Sequence, residues 1–111
     1  MLIEKIGIPA NTKCKISIQK LKGKFTIRFD NNTVYEEIDS DSPEPCELGI
    51  IKTGKHILDF TARDYNTSKY DVSIQLEFLN DIEIPRRRYR FKSTGEENDP
   101  GKGKTFHIIS S

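Results

Sequence analysis

The chain has 111 residues, 18 Lys and Arg against 17 Asp and Glu, and a formal net charge of +1. That length fits one domain spanning 1–111, and the balanced total removes any argument from bulk charge for a nucleic-acid or membrane-surface partner. Fifteen Ile, 8 Thr and 6 Phe stand against 2 Ala and 1 Met, a composition that suits pleated, half-buried strands better than helices.

In chain order, the segment 1–8 breaks its apolar residues with Glu4 and Lys5, so no secretory signal is expected and the default expectation is a cytoplasmic protein. No apolar run nears the ~20 residues that span a bilayer, so no membrane partner is expected either. Cys14, Ile16 and Ile18 alternate with Lys13, Lys15 and Ser17. After a predicted break at Lys22-Gly23, Phe25, Ile27 and Phe29 alternate with Lys24, Thr26 and Arg28. Asp30, Asn31 and Asn32 read as a turn, and 39–45, with two prolines, as a loop. His56, Leu58, Phe60 and Ala62 share a face, followed by a turn over 64–68. The clearest run is Tyr70, Val72, Ile74, Leu76 and Phe78, interleaved with Asp71, Ser73, Gln75 and Glu77. A helix would scatter those five apolar residues, whereas a strand puts them on one face. Pro85 breaks the chain again, 93–103 is the longest polar stretch, and Phe106 with Ile108 forms a last face. The predicted fold is all-β: a single antiparallel β-sandwich of about 8–9 short strands, Greek-key or jelly-roll-like.

Cys14 and Cys46 are the two cysteines. A buried free thiol is expected at Cys14, with a disulfide as the alternative if the chain is exported. With only two widely separated histidines, the cysteines make no zinc pattern. The sequons at Asn31 and Asn66 read as turn residues. Gly-x-Ser-x-Gly, His-Glu-x-x-His and phosphate-loop motifs are absent from the sequence. His56 and His107 each lie within an alternating strand, and Glu36 and Glu37 point to opposite faces, so no enzyme is expected.

Two segments carry charge in a pattern. Arg86, Arg88, Arg90 and Lys92 project together from a predicted strand whose other face carries Arg87, Tyr89 and Phe91. The stretch 86–104 holds seven cations and three carboxylates, net +4, which leaves −3 on the rest of the chain. Such a stripe suits a phosphate backbone, an acidic polysaccharide or an acidic protein, or else protects an edge strand from unwanted pairing. The acidic loop 95–101 gathers Glu96, Glu97, Asn98 and Asp99 between glycines, the oxygen-rich composition a calcium site requires. Glu96 and Asp99 are its candidate ligands, and a solvated hairpin loop is the alternative.

The opening Ile8-Pro9-Ala10-Asn11-Thr12, the alternating strand after it, and the acidic loop placed just before the final strand at 104–109 resemble the small bacterial calcium-dependent fucose- and mannose-binding lectins. That resemblance implies a sandwich fold, with calcium in the loop holding sugar hydroxyls. Lys102, Gly103 and Lys104 stand where the family has further acidic ligands, and the chain ends Ser110-Ser111 in place of a terminal glycine, which implies a reduced or lost calcium site. The expected function is a non-catalytic, lectin-like, carbohydrate-binding module in which Glu96, Glu97, Asn98 and Asp99 hold a sugar and Tyr65 or Tyr35 stacks on it. The alternative is a protein-interaction or assembly domain that uses its edge strands and the stripe 86–92, pairing with a partner or with a second copy as a homodimer. Single-stranded nucleic acid ranks last, because no aromatic platform for bases is evident.

Overall fold

The computed structural model describes residues 3–96 and 98–111. Eight strands follow in order: β1 (Ile3–Ile8), β2 (Lys13–Phe29), β3 (Asn32–Ser40), β4 (Cys46–Ile50), β5 (Gly54–Arg63), β6 (Asp71–Leu79), β7 (Arg87–Lys92) and β8 (Lys102–Ser110). Among the described residues there is no helix long and apolar enough to cross a membrane. Hydrogen bonding joins all eight strands into one sheet of order β1-β8-β5-β2-β6-β7, with β3 and β4 added against β2. The sheet is mixed and curls into a half-barrel.

The curl comes from β2. Its first part pairs with β6, from Lys13 opposite Leu79 to Lys22 opposite Asp71. Its second part pairs with β5, from Lys24 opposite Arg63 to Phe29 opposite Leu58. The change of partner falls at Gly23, whose φ of +82° lies in the left-handed region that favours glycine. A Cβ there would sit 2.6 Å from the Arg63 carbonyl oxygen and 2.8 Å from the Tyr70 Cα. Lys22-Gly23 therefore does not divide two strands, as the sequence pattern predicted. It bends one 17-residue strand where two limbs diverge, β6 with β7 on one side and β5, β8 and β1 on the other.

Those limbs close over a common core. Phe25, Phe60 and Phe106 are fully buried and Phe91 nearly so. The Phe25 and Phe91 rings stack 6.2 Å apart, and Phe60 meets Phe106 edge-on at 5.5 Å. Phe60 of β5 reaches Phe91 of β7 at 6.4 Å, so aromatic contact joins the limbs directly. The predicted faces hold here: Val72, Ile74 and Leu76 are fully buried, as are Ile16, Leu58 and Ala62.

The expectation of a purely antiparallel sheet is corrected at one place, where β1 runs parallel to β8 from Ile3 opposite Thr105 to Ile8 opposite Ser110. Alternation specifies which face a side chain takes but not the direction of its neighbour, and parallel pairing joins strands far apart in sequence. β1 and β7 end the strand path, and side chains bridge them. Glu4 accepts from Arg87 Nη1 at 2.6 Å and from the Tyr89 hydroxyl at 2.9 Å. Lys104 stands 3.7 Å from the same carboxylate and 4.9 Å from the Tyr89 ring centre.

Candidate functional site

The basic segment belongs to a wider charged surface. β7 pairs with β6 so that Lys92, Arg90 and Arg88 stand opposite Asp71, Ser73 and Gln75. On the other side of β6, Lys22 stands opposite Asp71, Lys20 opposite Ser73, Ser17 opposite Gln75 and Lys15 opposite Glu77. Residues directly opposite one another share a face. The outer face of this limb thus carries Lys13, Lys15, Lys20 and Lys22 along β2, a polar column on β6, and Arg88, Arg90 and Lys92 on β7. Arg86 lies just before β7 and contacts Glu77 at 3.5 Å. Eight cations therefore flank the two carboxylates of the column, Asp71 and Glu77, with Glu47 of β4 opposite Lys15 at the margin.

The column organises its neighbours. Arg90 donates to both oxygens of Asp71, at 3.0 and 2.9 Å, and Lys20 adds a third bond at 2.9 Å. The Arg90 hydrogen bonds, followed by those of Lys20, hold the Asp71 carboxyl well below the usual carboxylate range even though Asp71 is buried. Gln75 accepts from Arg88 Nε at 3.2 Å and donates to Glu77 at 3.0 Å. Two kinds of cation result. Arg90 and Lys20 are committed to Asp71, whereas Arg88 is tied only to a neutral amide and Lys92, Lys22 and Lys15 form no ion pair among the described residues. No strand pairs with the outer side of β7 among the described residues.

The acidic loop is organised differently. Asp99 turns inward, and its two oxygens accept from the Thr94 amide at 2.9 Å, the Gly101 amide at 2.8 Å, the Thr94 hydroxyl at 3.1 Å and the Tyr70 hydroxyl at 3.0 Å. These bonds, the Thr94 and Gly101 amides foremost, push the Asp99 carboxyl far down, while burial and Asp99 push the Tyr70 phenol up to about 12. Glu96 and Asn98 are exposed, and Glu97 lies outside the described residues. Among the described residues, no three of His, Cys, Asp or Glu gather as a metal-ligand set. Tyr65, 39% exposed, bridges to Ser68 in the turn after β5. Asp99 thus acts as a loop staple through bonds from the Thr94 and Gly101 amides and the Ser93, Thr94 and Tyr70 hydroxyls, and Glu96 is not brought to it as a second ligand.

Sequence reasoning missed one pair. His56 Nδ1 lies 2.6 Å from Asp30 Oδ2, and its Nε2 lies 2.7 Å from the Lys52 carbonyl oxygen. The ring stacks on Phe29 with centres 5.3 Å apart. With acceptors at both nitrogens, only the imidazolium satisfies both contacts. The hydrogen bond to Asp30 raises the His56 pKa most. Burial pushes the Asp30 carboxyl up, but the bonds from His56 and the Ile57 amide outweigh it and leave the net shift downward. The signal available in the sequence was the Asp30-Asn31-Asn32 turn, but its contact with residue 56 spans 26 positions. His107 is half-buried, and its Nδ1 has no hydrogen-bond partner among the described residues. Cys14 and Cys46 are both buried free thiols, and burial, with Cys46 nearby, pushes Cys14 up to about 12, which keeps it an unreactive thiol at neutral pH.

No family model matches the chain, and no curated protein and no solved structure matches it either.

Proposed function

We propose that the chain is a non-catalytic binding module that receives an acidic, extended segment of a partner protein along β7. The single observation that carries this reading is the set of uncommitted cations, Arg88, Lys92, Lys22 and Lys15, on the outer face of β2, β6 and β7. A strand added to the side of β7 that pairs with no strand among the described residues, where it would displace Lys102 Nζ from the Lys92 carbonyl, would place every second side chain on that same face, beside Arg88, Arg90 and Lys92. Glutamates or aspartates at those alternate positions would meet a basic row, with main-chain hydrogen bonds supplying affinity and charge supplying choice of partner. The proposal includes a sandwich-like reading of the fold, in which the two limbs act as layers over the shared aromatic core and leave the outer face of β2–β6–β7 to the partner. The acidic loop supports a sugar or calcium site less well, because Asp99 already spends its oxygens on Thr94, Gly101 and Tyr70.

The test is fluorescence anisotropy with a labelled peptide of alternating glutamate and threonine. Binding is expected at low salt and should weaken steeply as salt rises. An Arg88→Ser/Lys92→Ser variant, which leaves no buried carboxylate unpaired, should bind about tenfold more weakly. Absence of binding at low salt, or affinity indifferent to salt and to both substitutions, contradicts the reading.

A further inference from the structure

The basic row runs into a cleft of a different character. The connection between β6 and β7 arches away from the sheet and leaves an open cleft of about 510 Å³ lined by Glu77, Leu79, Ile82, Glu83, Ile84 and Arg86 among others. Leu79 is 50% exposed and Ile82 63% exposed, and both line this one cleft. The cleft is held in shape. Asn80 donates to the Ala10 carbonyl at 3.1 Å and to the Thr12 hydroxyl at 2.8 Å, and its own carbonyl oxygen accepts from the Ile82 amide at 3.3 Å. Thr12 is fully buried and donates in turn to the Pro9 carbonyl at 2.7 Å. The connector is thereby anchored to the turn between β1 and β2, so a ligand would enter a preformed site with little left to order.

Arg86 links the two features: it lines the cleft and stands next in line to Arg88, Arg90 and Lys92. A chain extended along β7 and continued past Arg87 reaches Arg86, which lies at the margin of the cleft. The charge changes along that path. Beside β7 a carboxylate is welcome, whereas in the cleft Glu77 is already engaged by Arg86, Gln75 and Ser17, Glu83 would repel a carboxylate, and Leu79, Ile82 and Ile84 offer apolar contact. We infer that the partner segment is bipartite, with alternate acidic residues along β7 and one large apolar side chain, leucine or phenylalanine, seated in the cleft beside Leu79 and Ile82. This inference rests on the reading of the basic face and names the recognition rule that the face and the cleft would enforce together.

Three labelled probes separate the possibilities: an acidic peptide with a leucine beyond its acidic tract, prepared with the leucine at either end; the same peptides with serine for leucine; and a single-stranded oligonucleotide. One of the leucine peptides should bind about tenfold more tightly than its serine counterpart, the worth of burying part of one leucine. An Ile82→Ser variant should abolish that difference while leaving the serine peptide's weaker affinity unchanged, and since Ile82 is exposed the variant should melt like the parent. Equal affinity for leucine and serine peptides, or a leucine advantage that survives Ile82→Ser, overturns the bipartite rule while the basic face stands. Failure of every acidic peptide to bind overturns both, and tighter binding of the oligonucleotide overturns the assignment to a protein segment.

Discussion

At the scale of single residues, His56 clasps Asp30 and the Lys52 carbonyl. The folded-state pKa of His56 is raised, so its contribution to stability is fully present below the unfolded value of about 6.5 and is lost as pH rises through the higher folded value. Asp30 is depressed, so its contribution is present above about pH 4 and lost as pH falls further. Lys52 bears on the same imidazole and opposes its charge. Melting temperatures taken from about pH 5.5 to 8.5 should fall for the parent, and a His56→Gln variant should lack that component; parallel curves for the two would contradict the clasp. Asp99 teaches a complementary lesson. Its neighbours in sequence, glycines and other acidic residues, suit a calcium loop and a stapled turn equally well. What decides between them is the Tyr70 hydroxyl, which arrives from 29 positions away. An Asp99→Ala substitution should strip hydrogen-exchange protection from the Thr94 and Gly101 amides and leave that of the β5 and β6 core strands in place. Unchanged protection at those two amides would contradict the staple.

At the scale of elements, β2 explains both the success and the limit of pattern reading. Alternation placed Cys14, Ile16, Phe25 and Ile27 inward correctly, because within each run a slip of one residue would turn the buried face outward; between the runs the register of β2 against β6 shifts at Ile18/Lys20, which moves the inward face from even to odd positions. The same alternation could not say that one strand runs through Gly23, because a turn and a left-handed bend both call for glycine. It was equally silent on the parallel pairing of β1 with β8, where nothing local records direction. Gly23→Ala tests the bend. The left-handed backbone alone costs an alanine roughly 1–3 kcal/mol, and its Cβ would press on backbone atoms of Arg63 and Tyr70 at 2.6 and 2.8 Å. The variant should melt on the order of 10 °C or more below the parent. An unchanged melting temperature would mean that the limbs do not diverge at this residue.

At the scale of the whole molecule, the net charge of +1 conceals a divided surface. The sequence alone pointed to the stripe at 86–92, but not to its continuation. Lys13, Lys15, Lys20 and Lys22 lie more than sixty positions earlier and join Arg88, Arg90 and Lys92 because β6 pairs with both β2 and β7. Asp71 then divides these cations into committed and free, a distinction invisible without the geometry of Arg90 and Lys20. The curl that brings β1 and β7 close enough for Glu4 to reach Arg87 and Tyr89 turns the core inward and leaves the cationic face outward. The central claim is that this face, and not the loop at 95–101, is where the protein binds. The most direct measurement is backbone amide chemical-shift mapping during titration with the alternating acidic peptide at low salt, and separately with mannose in the presence of calcium. The account predicts that the peptide shifts amides along β7, at Arg88, Arg90 and Lys92, and at Lys20 and Lys22 of β2, while mannose with calcium shifts none. Shifts confined to 95–101 on adding mannose and calcium, with β7 unmoved by the peptide, would contradict it.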